Sequence, residues 1–168
     1  VVITDDTEHA IIDGQQRLTS LTLLLIYLNN LQKNFPEDHR VYIKDLIFSE
    51  WRGVKSFNIH VDEREPCLEA IYNDKEFDIT NQPESVQTIY SRYKDIQELF
   101  PEDLKDRALL FFIDWLIDKV DLVEIKTKTE QDAHKIFVSM NDRGLSLTPT
   151  EMLKGYLLAE IKDDKQRN

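Results

Sequence analysis

AIIDGQQRLTSLTLLLIYLNNL, residues Ala10 to Leu31, decides how the rest of the chain is read. A short β-like run meets one glycine, then two glutamines and an arginine, then a stretch that is apolar on almost every side of a helix. Such a helix, Gly14 to Leu31, belongs in the middle of a core. Asp13 is a good N-cap, and Gln16 three residues on is spaced to close a capping box. Arg17 is harder to absorb. A cation in the first turn opposes the helix macrodipole at a cost of about 0.3–1 kcal/mol when exposed. An i,i+4 pair with Asp13 returns roughly 0.3–0.5 kcal/mol, so a purely local reading nearly balances. An anion changes the balance. Free amides at a helix start, a glycine that permits close approach and an arginine together suit a phosphate, at about 1.5–3 kcal/mol per charge-assisted bond. Gln15 and Gln16 are then positioned to orient a water or a sugar hydroxyl, and Asp13 to hold a magnesium-bound water. There is no GxxxxGK[ST] and no GxGxxG, so neither a P-loop nor a dinucleotide fold is indicated.

Outward from that stretch, 168 residues suffice for one domain with a substantial core. The composition, 41% apolar and 32% charged, is that of a globular protein. A formal charge of −11 does not advertise a duplex-DNA surface, which is usually basic. The one cysteine, Cys67, excludes an internal disulfide and fits a reducing, cytoplasmic compartment; it reads as a small buried hydrophobe. Leu21 to Leu28, the longest apolar run, is too short to span a bilayer, so no membrane association is expected. The opening VVITDDTEHA has neither a signal peptide's basic region nor an initiator methionine, and is expected to be cut from something longer.

The pattern predicts an α+β fold, mainly helical with a small β-sheet, as a single domain over 1–168. Val1–Ile3 and Ala10–Ile12 are predicted strands, Val41–Phe48 a short helix, and Phe57, Ile59 and Val61 alternate as a strand. Glu65–Tyr72 is a short helix and NDKEFDITNQP a loop. Glu84–Phe100 carries a stripe of Val86, Ile89, Tyr93, Ile96 and Phe100. Leu104–Val120 contains LLFFIDWLI, apolar all round and expected to be buried. DLVEIK is a candidate strand, and a helix over Glu130–Arg143 starts at Thr129. Thr148, Pro149 and Glu151 mark the start of a last helix.

IIDGQQRLTSLTLLL, followed much later by IFVSMNDRGLSLTPTEMLKGYLL, resembles the N-terminal domain of GmrSD-type, modification-dependent restriction endonucleases. That domain is similar in turn to the ParB/sulfiredoxin superfamily. The resemblance implies a ParB/sulfiredoxin-like core with a helical extension, a DGQQR-containing nucleotide-binding portion over 1–61, and a helical portion over 62–168 with the second motif at 137–147. It implies binding and hydrolysis of a nucleoside triphosphate with Mg²⁺, serving a regulatory role in phage defence. Catalytic roles fall to Asp13, Gln15 and Gln16, nucleotide contacts to Gly14, Gln15, Gln16 and Arg17, and the metal to Asp13. Asn141 and Gly144 of the second motif are implicated too, with Arg143 between them. A local reading of that turn also stands: Arg143 suits a helix's last turn, Gly144 a left-handed cap and Leu145 its hydrophobic contact. Family members carry a further N-terminal segment with a Gln-Arg pair, so the resemblance implies an N-terminally truncated chain. They also carry an HNH nuclease as a C-terminal domain or second subunit, which implies that partner and contact with modified DNA through the whole protein. A homo-oligomer is compatible with the sequence.

Two rival chemistries remain open. On a strand, Glu124 and Lys126 of DLVEIK share a face, the E-x-K arrangement of metal-dependent nucleases, which also needs an acid on a neighbouring strand. The other is a non-catalytic interaction module, since the acidic charge suits protein docking better than DNA contact. His9, His39, His60 and His134 are scattered without metal-ligand spacing.

Overall fold

The computed structural model of the chain describes residues 2–4, 9–11, 13–51, 53–59, 61–127 and 129–141. In chain order the elements are β1 (Val2–Thr4), β2 (His9–Ile11), α1 (Gln15–Leu31), α2 (Lys44–Ile47), β3 (Phe48–Trp51) and β4 (Val54–Phe57). They continue with α3 (Glu65–Tyr72), α4 (Glu84–Leu99), α5 (Ala108–Lys119), β5 (Lys126–Thr127) and α6 (Glu130–Asn141). This is a mainly helical α+β fold. Contacts divide the chain into two compact units, one of residues 1–15 with 122–168, the other of residues 16–121.

In the first unit β1 is the central strand. It runs antiparallel to β2, with Ile3 opposite Ala10, and parallel to β5, with Val2 opposite Lys126. α6 packs on β1 and β5 and buries Ala133. It starts after Thr129, as the sequence predicts, and the structure adds a cap there: the Thr129 hydroxyl accepts from the Asp132 backbone N–H at 3.2 Å. Of DLVEIK only Lys126 enters the ladder; Leu122, Val123 and Glu124 before it are exposed and outside any strand.

The second unit is built around α1. Leu23, Ile26 and Leu28 are buried there, as the all-round apolar pattern requires. α3 contributes Cys67, Leu68 and Ile71, and α4 contributes Val86, Ile89 and Tyr93, so the predicted α4 stripe is the buried one. The Asn30 amide of α1 donates to the Ile71 carbonyl at 2.8 Å and to the Tyr93 hydroxyl at 3.1 Å, tying three helices at one point. Tyr27 meets Tyr93 and Phe100 edge-on. Burial pushes the Cys67 thiol up to about 11, which suits an inert core residue.

Three sequence expectations need correction in this unit. The predicted helix over 41–48 is only the single turn of α2, and Phe48 opens a strand instead, pairing with Phe57 at 4.5 Å between ring centroids. Ile59 and Val61 leave that hairpin: the Asn58 N–H bonds back to the Ile47 carbonyl, and Val61 ends exposed. The alternation of Phe57, Ile59 and Val61 therefore did not mark a strand. α5 is not wrapped by core. Leu109 and Ile113 are fully buried, but Phe111 is 77% and Trp115 54% exposed, since the helix packs by one face only.

Candidate functional site: the turn between β2 and α1

β2 delivers the chain to Asp13 and Gly14, and α1 begins at Gln15, one residue later than predicted. Gly14 has φ 95°, a left-handed backbone that an L side chain adopts only under strain. The Asp13 carboxylate accepts from the Gly14 N–H at 2.7 Å, and the Gln15 side-chain amide donates to the Ile11 carbonyl at 2.8 Å. Asp13 and Gly14 are half-buried, whereas Gln15, Gln16 and Arg17 are exposed. The first turn of α1 contains no acidic residue. Its positive dipole end thus carries a cation, and the nearest carboxylate in sequence is that of Asp13, outside the helix.

The described part of the second motif, residues 137–141 at the end of α6, belongs to the same compact unit as Asp13, Gly14 and Gln15. β2, which runs into Asp13, pairs with β1, and α6, which closes at Asn141, packs on β1. Arg143 and Gly144 lie outside the described residues, as do Leu145 and the predicted helix start at Thr148, Pro149 and Glu151.

The rival E-x-K pair forms a salt bridge: Lys126 Nζ lies 3.3 Å from Glu124 Oε2, both half-exposed. The strand paired with β5 on the ladder is Val2–Thr4, which carries no carboxylate. Among the described residues no group of three His, Cys, Asp or Glu side chains is gathered to hold a metal ion. No helix among them is long and apolar enough to cross a membrane.

A family model described as the GmrSD restriction endonuclease, N-terminal domain, matches residues 1–158. The match takes in nearly the whole chain, and the chain belongs to that family. Neither a curated protein nor a solved structure matches it.

Proposed function

We propose that this member of the GmrSD family is the nucleotide-binding and nucleotide-hydrolysing regulatory domain of a cytoplasmic, modification-dependent restriction system, whose nucleotide state licenses an HNH-type nuclease carried elsewhere in the assembly. The observation that supports it most is the turn at Gly14. Its left-handed backbone opens a helix whose first turn holds Gln16 and Arg17 and no acid, and α6, which carries the first residues of the second motif, packs on the neighbouring strand.

In this reading triphosphate lies over the first turn of α1. The backbone amides and Arg17 neutralise its charge, and electrostatic stabilisation of the transferring phosphoryl group supplies most of the catalysis. Gln16 is better suited than Gln15 to orient water, because the Gln15 amide nitrogen is committed to the Ile11 carbonyl. Asp13 is the carboxylate that would hold Mg²⁺. One carboxylate fits an ion that takes its other ligands from water and phosphate oxygens, and when bound it adds charge neutralisation. Asn141, Arg143 and Gly144 complete the nucleotide contacts.

Isothermal titration with several nucleoside triphosphates and Mg²⁺, beside an Arg17→Ala control, tests this. Micromolar binding that weakens at least about tenfold in the control, the loss of one charge-assisted contact, is expected. If Arg17→Ala and Asp13→Ala leave both hydrolysis and restriction by the intact protein unchanged, the assignment falls.

A further inference from the structure

We propose that a second anion site, separate from the turn at Gly14, lies at the other end of α1 and takes a phosphate group. A cavity of about 190 Å³ opens there within the unit of residues 16–121, lined among others by Asn29, Lys33, Glu37, Arg40, Lys44 and Tyr72. Asn29 is fourteen residues beyond the start of α1, so the two ends are about 20 Å apart along the helix axis.

The charge around this cavity runs against that of the chain. Three cations face one carboxylate in a protein of net charge −11. Two of the cations are held by neutral groups. Lys33 Nζ donates to Asn30 Oδ1 at 2.6 Å and to the Tyr72 carbonyl at 3.2 Å. Arg40 donates through Nε to the Phe35 carbonyl and through Nη2 to the Lys33 carbonyl, both at 2.8 Å. These bonds fix the side chains without cancelling their charge, so an incoming anion does not have to order them. Burial raises the Tyr72 phenol above its ordinary value, so a neutral hydroxyl stands on the wall with Asn29.

A purely structural role accounts for part of this. Arg40 satisfies two carbonyls just past the end of α1, and Lys33 satisfies the Tyr72 carbonyl at the end of α3, both places where a cation is favourable. It does not account for Lys44, which lines the cavity and pairs with no described residue. Size narrows the ligand. Sites for whole small molecules run to about 300–1,000 Å³. The space here equals that of roughly six waters, enough for a tetrahedral anion and the atoms joined to it. The shared chemistry is a phosphate, carried on a mononucleotide or on the backbone of a nucleic-acid strand.

The test is a backbone-amide NMR titration of the whole chain with sodium phosphate at constant ionic strength. Saturable shifts gathered around Lys33, Arg40 and Lys44 are expected. Lys44→Gln, at an exposed position, should weaken the binding about tenfold, the loss of one charge-assisted bond, while Lys44→Arg retains it. Adenosine monophosphate and a short single-stranded DNA then separate the sources. Tighter binding of the first points to a free nucleotide, and tighter, strongly salt-dependent binding of the second to a strand. Shifts that do not saturate, that appear only around Gly14–Arg17, or that are the same in Lys44→Gln overturn the proposal. The Gly14–Arg17 result alone would do so while leaving the reading of the DGQQR turn intact.

Discussion

Replacing Gly14 by alanine tests the turn on which the proposed site depends, and there the sign of the effect is diagnostic. At an ordinary negative φ, Gly→Ala stabilises a protein by about 0.4–1 kcal/mol, because the unfolded chain loses freedom. φ 95° is a backbone that L side chains rarely adopt, and a left-handed L residue costs about 1–2 kcal/mol. The two cases differ by roughly 1.5–3 kcal/mol, well outside the error of a urea titration. Gly14→Ala is therefore expected to lower the urea midpoint with an unchanged slope, and the melting temperature by about 2–8 °C for a chain of this size. Gly14→Asn should lose less, because asparagine tolerates the left-handed region, and Gly14→Val more. Amide exchange in the first turn of α1 should accelerate in the same order. An alanine variant as stable as the parent, or more so, would show that the chain does not take this turn and would remove the structural basis for phosphate contact there.

Other outcomes follow from the packing. Asn30→Ala strips a donor from the Ile71 carbonyl and the Tyr93 hydroxyl; a loss of about 1–3 kcal/mol is expected by urea titration, most of it from the orphaned carbonyl. Thr129→Ala removes the α6 cap, which at about 1 kcal/mol should speed exchange of the α6 amides about fivefold by deuterium labelling. Cys67 titrates at about 11 in the fold against an ordinary 9.0. The unfolded chain then binds fewer protons than the folded one between those values, so this thiol's contribution to stability is intact below pH 9 and falls as pH rises toward 11. Denaturation followed over pH 8–11 should show a shallower decline for Cys67→Ala than for the parent.

Much of the helical frame was legible from residues alone. The spacing of Val86, Ile89, Tyr93 and Phe100 marked the buried face of α4, and Glu65–Tyr72 matches α3 residue for residue. Periodicity over sixteen residues leaves little freedom about which face is apolar. Short segments were not legible. Phe48 reads equally well at the end of a helix or the start of a strand, and only its pairing with Phe57 decides. LLFFIDWLI has the composition of a fully buried helix, yet composition cannot show that only one face of α5 meets a neighbour, leaving Phe111 and Trp115 outside.

The candidate sites divide in the same way. DGQQR announced itself because glycine, a helix start and a cation in the first turn are all local, and local backbone geometry follows from neighbouring residues. The cavity of Lys33, Arg40, Lys44 and Tyr72 left no signal, since its cations stand on three separate short turns and Tyr72 arrives from another helix. The sequence by itself determined the buried face of α4, the fold class and the strand–glycine–helix turn. Only the tertiary structure decided that β5 lies parallel to β1 and that α6 covers them both. That pairing joins residues 2–3 to 126–127. No local preference encodes it, because its stability comes from a ladder and a buried face that exist only once the distant segments meet.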